Sequence, residues 1–356
     1  MIMKRITFCA LLMTLFLLLS CGSGSAKVED PKTTFLSSIA NLGKGFLDVF
    51  TSLSDMVSGA FGIKADTKKS DIGKYFTSIE TTMNTVKKKL QEEVANNGNY
   101  SKIKTVVDTF ITNTLDKIAA GAKEAAKGAT GDAIGNATSA GHGATPASKD
   151  SVVSLVKGIK TIVEVVLKNN EGSAEATKTA EDDKKDIGNL FINDAGKADA
   201  KEENIAKASA SIGSVTGADI LQAIVKSKED PKANNTDGIE KATDAAEIAI
   251  APAVANKKEI KEASAKKDAI IAAGIALRAM AKDGKFAAKD EEKSANAVNG
   301  VAANAVGKTL STLIIAIRNT VDSGLKTISE ALASVTQEDK SLDSTTPAES
   351  TTSGQQ

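Results

Sequence analysis

The side chains that could do chemistry in this sequence include a single histidine, His142, which stands between two glycines in Ala-Gly-His-Gly. Flanking glycines are typical of loops, so we interpret His142 as a solvent-exposed loop residue. One histidine without nearby cysteines does not complete a zinc site of cysteine and histidine ligands. The sequence also lacks a Gly-x-Ser-x-Gly elbow of the kind that carries a catalytic serine. It therefore predicts a protein that is not an enzyme, without a metal or another cofactor.

Two further stretches are weak matches to ligand-binding motifs. Gly300 and Gly307-Lys308-Thr309 approximate a phosphate-binding loop, but six residues separate the glycines where the motif requires four, and no strand precedes them. We interpret them as part of a long helix. The Asp- and Asn-rich stretch at residues 230–237 offers oxygen ligands for calcium, but its spacing does not match an EF-hand. An Asx-rich turn explains it.

The N-terminal segment has the three parts of a secretion signal. Residues 4–5 are basic, residues 6–19 are apolar, and residues 18–21 read Leu-Leu-Ser-Cys. The apolar run is too short for a permanent span, which needs about 20 apolar residues. Leu-x-Ser-Cys resembles the lipobox of bacterial lipoproteins, which predicts cleavage before Cys21 and its acylation. An ordinary secreted protein with a stray cysteine is the alternative.

Acylation of Cys21 would attach the mature chain to a membrane. Each buried methylene stabilises such an anchor by about 0.8 kcal/mol, so several acyl chains hold nearly permanently. We therefore divide the N-terminus into a cleaved signal peptide at residues 1–20 and a lipidated, flexible tether at residues 21–32. Because Cys9 leaves with the signal, the mature protein has no free thiol and no disulfide.

Composition argues against nucleic-acid binding. The chain has 45 basic and 45 acidic residues, aromatic residues make up 3%, and tryptophan is absent, which removes stacking surfaces for single-stranded nucleic acid. Only Arg278 and Arg318 follow the signal, so bidentate contacts to phosphate or sulfate are scarce. Lysines cluster at residues 87–89, 257–258 and 266–267. Nearby acidic residues, among them Glu259 and Asp268, are expected to neutralise these clusters on solvated helix faces.

Apolar residues recur at helical spacing near both ends of the mature sequence. Stripes at residues 35–56 and 306–335 predict two long helices whose apolar faces pack in a bundle, with a membrane-lying helix or a coiled coil as the alternative. Further helices are predicted from Ser70 as N-cap to residue 97, from Ser101 until Gly121 and Gly128 interrupt the pattern, and over residues 151–167. No strand-like alternation persists. The fold class is therefore all-α, an elongated helical bundle with paired long N- and C-terminal helices.

The middle of the chain has a different composition. Residues 119–149 and 170–262 are rich in Ala, Gly, Asn, Asp, Ser and Lys, and we interpret them as exposed loops and short helices. Disordered linkers are the alternative, but scattered apolar residues such as Leu190 and Ile220 favour packing onto one body. We therefore expect a single helical domain at residues 33–337, followed by a disordered polar tail at residues 338–356.

Several segments resemble the variable large proteins and VlsE-like surface lipoproteins of Borrelia. The most specific is KKDAIIAAGIALRAMAKDGKFA at residues 266–287, and residues 46–57, 73–76 and 313–325 add to it. The resemblance implies a helical lipoprotein of the cell outer membrane, lipid-anchored and surface-exposed. Its role would be antigenic variation and immune evasion, with the loops at residues 119–149 and 170–262 as the variable segments and host antibodies as partners. An adhesin that binds a host receptor or glycan through lysine-rich loops is the alternative, and a homodimer stays open.

An unchanging surface stretch would give antibodies a fixed target, so we predict that the signature segment at residues 266–288 is buried. Its residues make most of a helix apolar, and Gly274 allows close approach of another helix. We expect the helix to end at Asp283-Gly284, with Gly284 in the left-handed conformation. Phe286 can then fold back onto the end of the helix.

Overall fold

The computed structural model describes residues 31–58, 62–96, 101–168 and 170–334, without the side chains of residues 31, 49–58 and 101. The predicted signal peptide, Cys21, most of the tether and the polar tail lie outside the described residues. The described part is helical, with three isolated β-bridges between extended segments. The predicted all-α class is confirmed.

The longer connections between helices include residues 129–148, 167–180, 227–244 and 251–267. Short 3₁₀ turns occupy Ile187–Phe191, Asp194–Asp199 and Gly238–Lys241. The helices are α1 (Pro31–Ser58), α2 (Lys69–Asn96), α3 (Ser101–Phe110), α4 (Asp116–Gly128), α5 (Lys149–Val166), α6 (Glu181–Asp186), α7 (Glu202–Ser214), α8 (Gly217–Lys226), α9 (Ala245–Ile250), α10 (Asp268–Met280) and α11 (Glu292–Ser334). Helix α2 begins at Lys69, so Ser70 lies within the helix and is not its N-cap.

The first and last helices are paired, as predicted, and they run antiparallel. The Nζ atom of Lys32 donates to the carbonyl oxygen of Ala333 at 3.0 Å, and Gly43 packs beside Leu325. Helix α11 has 43 residues, a length of about 65 Å. The start of α1 and the end of α11 therefore lie together at one end of an elongated molecule, and Glu292 begins α11 at the other end.

Helix α11 is long and apolar enough to cross a membrane by length and composition. In the structure, however, 56% of the apolar 18-residue stretch of this helix is buried inside the protein. Its buried residues recur three or four apart, among them Leu310, Leu313, Ile317 and Val321. The helix packs against α1, α7, α8 and α10. The apolar composition of α11 thus matches its place in the core.

The predicted interruption at Gly121 and Gly128 is wrong. A π-helical segment, Ile111–Leu115, joins α3 to α4 without a break, and both glycines are buried helical residues of α4. A Cβ on Gly121 would lie 2.6 Å from the carbonyl oxygen of Gly158 in α5, and one on Gly128 would lie 2.3 Å from that of Ser151. These glycines are required for close packing of two helices, so residues 119–128 are not an exposed loop.

The middle of the chain is more ordered and more buried than a loop-rich segment would be. Helices α7 and α8 cover most of residues 202–226, and their inward residues include Ile212, Ile220 and Leu221, each with no exposed surface. Leu190 and Phe191 are equally buried. One hydrophobic cluster runs from Phe35 to Leu332 and includes these residues. The packing of the middle segments onto the helical bundle agrees with the prediction from their apolar residues.

Candidate functional site

Helix α10, which carries most of the signature segment, is the longest helix of the described structure that is buried throughout. Every residue from Asp268 to Met280 is buried. Helices α7, α8, α9 and α11 surround it. Gly274 allows the close approach, because a Cβ there would lie 2.4 Å from the Cγ2 atom of Ile248 in α9. The predicted burial of residues 266–288 is confirmed for the whole helix, but it is wrong for the loop that follows, where Lys282, Asp283 and Lys285 are exposed.

Asp268 begins α10 and has no exposed surface. One carboxylate oxygen accepts from the amide N–H groups of Lys178 at 2.6 Å and Thr179 at 2.9 Å, and the other accepts from the hydroxyls of Thr179 at 2.6 Å and Ser211 at 2.7 Å. Burial alone would raise the pKa of Asp268, but these hydrogen bonds outweigh it and lower the pKa below its ordinary value. The first turn of a helix also favours a negative charge.

The expectation that Asp268 neutralises the neighbouring lysines is wrong. Its carboxylate points into the protein, whereas Lys266 pairs with Glu181 at 3.3 Å and Lys267 pairs with Glu175 at 3.7 Å. The two lysines lie before the helix and on the surface side of the chain. Neutralisation therefore comes from acidic residues of other segments rather than from within one helix.

Arg278 lies near the other end of α10 and is also fully buried. Its Nε donates to the carbonyl oxygen of Lys285 at 2.9 Å, and its Nη1 donates to those of Ala249 at 3.1 Å and Ala251 at 3.0 Å. The last turn of a helix favours such a cation. Burial lowers the pKa of Arg278 to about 9.

Two aromatic rings cover the guanidinium group of Arg278. The ring centroids of Phe191 and Phe286 lie 4.9 and 5.9 Å from its Cζ atom, and the two rings meet edge to face. Such contacts attract a cation to the ring face. Phe286 thus folds back onto the end of α10, as predicted.

A second buried cation, Lys69 at the start of α2, reaches the loop that follows α10. Its Nζ donates to the carbonyl oxygens of Ala281 at 2.6 Å and Gly284 at 2.8 Å. Burial, and then the charge of Arg278, lower the pKa of Lys69 to about 7. Lys69, for which the sequence predicted no role, therefore links α2 to the signature segment.

The conformation of the loop at Asp283-Gly284 differs from the prediction. Asp283, not Gly284, takes the left-handed conformation, with φ of 67°. Gly284 is needed for a different reason, because a Cβ there would lie 2.1 Å from the carbonyl oxygen of Arg278. An aspartate tolerates the left-handed region better than most residues, which lets it turn the chain here.

His142 is not the solvent-exposed loop residue that we predicted. It lies in a loop, but it is half-buried and pairs with Ala288 in an isolated β-bridge. Its Nδ1 lies 2.9 Å from the carbonyl oxygen of Gly143 and its Nε2 lies 3.3 Å from that of Asn136. Among the described residues, no three His, Cys, Asp or Glu side chains come together as a metal site would require.

The two weak ligand motifs have the structures that we predicted. Gly307-Lys308-Thr309 lies within α11, and the Lys308 side chain donates to the carbonyl oxygen of Ile212 at 2.9 Å. The side chain of Asn234 accepts from the amides of Thr236 at 3.0 Å and Asp237 at 2.8 Å, which is an Asx turn. Both motifs are thus accounted for by local structure.

The segments around the start of α11 form the end of the molecule far from the start of α1 and the end of α11. We call the segments at residues 137–144, 193–201 and 281–291 the distal loops. Their contacts with α11 are polar, for example Asn299 to the Ala137 carbonyl at 3.0 Å and Ser294 to the Ala200 carbonyl at 3.3 Å. Many of their side chains are exposed. This end of the molecule therefore displays exposed side chains on segments that are held to α11 partly through their backbones.

Comparison with known proteins identifies the family. A family model described as Borrelia lipoprotein matches residues 46–332. Variable large protein 4 of Borrelia hermsii is 75% identical over 97% of this chain and 98% of its own length, and variable large protein 17 of the same species is 67% identical over 99% of each. The chain belongs to the variable large protein family of Borrelia lipoproteins.

A solved structure supports the same assignment for the fold. The crystal structure of the Lyme disease variable surface antigen VlsE of Borrelia burgdorferi matches with a TM-score of 0.68 and 35% identity. The match covers 84% of this chain and 99% of that chain. This chain and VlsE therefore share one helical scaffold.

The two buried cations, Arg278 and Lys69, were not predicted from the sequence. Arg278 gave a signal that could have been used, because it is an isolated charge in an otherwise apolar helix and such a charge must find partners. Lys69 gave none, since Lys-Lys-Ser-Asp before a helix is typical of an exposed helix start. Its acceptor at Ala281 lies 212 residues away in the chain.

Proposed function

We propose that this chain is an outer-surface lipoprotein antigen that acts in antigenic variation and immune evasion, and that it does so without catalysis. The observation that supports this most is the division of the fold into a signature helix that is buried throughout and distal loops that expose their side chains. Exchange of exposed loop residues changes stability little, whereas loss of buried Leu or Ile costs about 2–5 kcal/mol. VlsE, which shares this fold, is named as a variable surface antigen, and this supports the proposed role.

We further propose that Cys21 carries the lipid that anchors the chain in the outer membrane. Cys21 precedes Pro31, the first residue of α1, by ten positions. Because α1 starts beside the end of α11, an anchor there would point the distal loops away from the membrane. A scaffold about 65 Å long would then hold them at the level where host antibodies bind.

The adhesin alternative is not favoured, because many lysines of the middle segments are paired with acidic side chains. Lys257 lies 3.0 Å from Asp237, Lys258 lies 2.9 Å from Asp199, and Lys232 lies 2.5 Å from Asp230. A receptor or glycan site for anions needs a concentrated positive surface. Alternating pairs of opposite charge do not provide one.

The experiment compares two triple variants on live Borrelia cells with antisera raised against the native protein. The distal variant is Ser139→Lys, Ala195→Lys and Lys282→Glu, and the control is Ser37→Lys, Asn41→Lys and Lys44→Glu on the exposed face of α1. All six side chains are exposed, and each set leaves the net charge unchanged. We expect the distal variant to lose more than half of the antibody binding and the control to keep it. Equal loss in both, or loss in the control alone, would contradict the proposed role of the distal loops.

A further inference from the structure

The connection between α9 and α10, residues 251–267, is extended and contains five lysines. We infer that this segment, which we call the strap, is a latent cleavage site for serine proteases that cut after lysine. Ion pairs hold the strap closed in the folded protein, and its local release exposes the site while the helical bundle stays folded. Such a site is independent of the proposed antigenic role.

The lysines of the strap are all paired with acidic side chains of other segments. The pairs are Lys257 with Asp237 at 3.0 Å and with Glu240 at 3.5 Å, Lys258 with Asp199 at 2.9 Å, Lys261 with Glu240 at 2.9 Å, Lys266 with Glu181 at 3.3 Å, and Lys267 with Glu175 at 3.7 Å. In the opposite sense, Glu262 of the strap is paired with Lys241 at 2.8 Å. The strap is thus fastened along its length to residues 175–199 and 237–241.

Glu240, in the 3₁₀ turn Gly238–Lys241, is the central attachment point of the strap. Its carboxylate lies between the ammonium groups of Lys257 and Lys261. The Glu240 side chain is only 8% exposed, so water and salt screen its charge less than that of a surface carboxylate. A charge in such a place costs free energy unless it is paired. The two strap lysines supply that pairing.

The strap has few other attachments to the rest of the protein. Ile260 is buried, and its N–H donates to the carbonyl oxygen of Lys185 at 2.9 Å. Among the described residues, this is the single backbone-to-backbone hydrogen bond that joins residues 252–264 to another segment. Most side chains of the strap are exposed or half-buried. Segments with so few apolar contacts open at a lower free energy than core helices, so the ion pairs supply a large share of what keeps the strap closed.

In the closed state the main chain of the strap runs directly over two turns. A Cβ on Gly188 would lie 2.4 Å from the carbonyl oxygen of Lys258, and one on Gly238 would lie 2.6 Å from that of Pro252. A protease binds several residues of extended chain that stand clear of their surroundings. The strap therefore has to be released from both turns before it becomes a substrate.

Release makes the peptide bonds after Lys257, Lys258 and Lys261 accessible. The protease adds water across one of these bonds, which leaves a carboxylate on the lysine and an amino group on the next residue. The chain on both sides of the cut stays in the core, because α9 before the strap and α10 after it are buried throughout. The cleaved protein should therefore remain one folded body.

The test is digestion of the full chain, purified in mild detergent, with trypsin, followed by mass spectrometry of the first products. A synthetic peptide of residues 251–267 is digested in parallel and corrects for effects of salt on the protease itself. From 0.1 to 1 M NaCl the Debye length falls from about 10 to about 3 Å, so we expect first cuts in the strap and a corrected rate about fivefold higher at 1 M.

Glu240→Gln removes the central carboxylate with little change in size. We expect it to raise the rate of cleavage in the strap about tenfold at 0.1 M NaCl, because two ion pairs are lost together. The matched control is Glu330→Gln, which breaks a pair between Lys326 and Glu330 within α11. This variant should be cut like the wild type.

Hydrogen–deuterium exchange and gel filtration separate release of the strap from general unfolding. Exchange at residues 253–264 should be faster at 1 M than at 0.1 M NaCl, with α10 protected at both. The cleaved protein should elute as one species with the circular dichroism of the intact chain. First cuts outside the strap, a corrected rate unchanged by salt or by Glu240→Gln, or loss of helix in step with cleavage would each overturn the inference. Should Glu240→Gln not fold, the salt series on the wild type decides alone.

Discussion

Gly121 of α4 and Gly158 of α5 face each other where the two helices cross, and a Cβ built on either would lie 2.5–2.6 Å from the carbonyl oxygen of the other. Alanine is the better helix former by about 1 kcal/mol, but the overlap outweighs this gain. We expect Gly158→Ala to lower the free energy of unfolding by about 2–3 kcal/mol. Urea unfolding followed by circular dichroism measures it.

Gly300→Ala is the matched control for this prediction. Gly300 also lies within a helix, α11, but it is exposed and has no atoms within 4 Å of the position of a Cβ. Its replacement should leave stability unchanged or raise it by up to about 1 kcal/mol. A Gly158→Ala protein that is as stable as Gly300→Ala would show that the helices can move apart at no cost.

Lys69 should make the protein more stable as the pH rises above neutrality. Its pKa is about 7 in the folded protein and about 10.4 in an unfolded chain. Between these values the unfolded state binds more protons, so the free energy of unfolding increases with pH. From pH 7 to pH 9.5 the gain is on the order of 3 kcal/mol, and Lys69→Met should remove it.

Urea unfolding at pH 7 and pH 9.5 checks the contribution of Lys69. Lys74→Met is the control, because Lys74 lies one turn further along α2 and is exposed. That variant should keep the pH dependence of the wild type. An unchanged pH dependence in Lys69→Met would mean that other groups cause it.

Antibodies raised against a peptide of residues 268–280 should bind denatured protein but not live cells. Every residue of this helix is buried, so binding to the folded protein requires that α10 first leaves the core. Antibodies against a peptide of residues 228–236, most of which are exposed, are the control and should bind both forms. Bright staining of live, unpermeabilised cells by the α10 antibodies would contradict the burial of this segment in the displayed protein.

Replacement of Cys21 by alanine should abolish incorporation of labelled palmitate and leave an uncleaved or mislocalised chain. The acyl group needs the thiol at the cleavage junction, and the only other cysteine, Cys9, lies within the predicted signal. Cys9→Ala should therefore incorporate label normally. Continued labelling of Cys21→Ala would place the lipid elsewhere.

The long helices were predictable from the sequence because their buried faces consist of large apolar residues at regular spacing, as in α11. The buried face of α4 consists instead of residues such as Ala119, Gly121, Ala122 and Ala125. Small residues give no hydropathy signal, and only a partner as close as α5 explains them. The continuation of the helix through Gly121 and Gly128 was missed for this reason, and its packing could not be derived from its own composition.

The signature helix was predictable as buried, but its polar contacts were not. Hydropathy identifies an apolar helix, and one charge near each end breaks the pattern only slightly. The hydrogen-bond acceptors of Arg278 and two of the donors to Asp268 are backbone groups, which are the same in every residue and so leave no trace in the sequence. The geometry of the loop at Asp283 was missed for a related reason, since aspartate and glycine share the left-handed conformation and only the close approach of Arg278 decides between them.

The antiparallel pairing of α1 with α11 has a mechanical consequence. If the chain is held at its N-terminus and pulled at the distal loops, the start of α1 and the start of α11 are pulled in opposite directions. The force then acts parallel to the surface along which the two helices contact each other. The two helices are then loaded in shear, so their side-chain contacts resist together instead of separating one after another. A pull on the distal loops is therefore transmitted to the end of the molecule where α1 starts, without separation of the two helices.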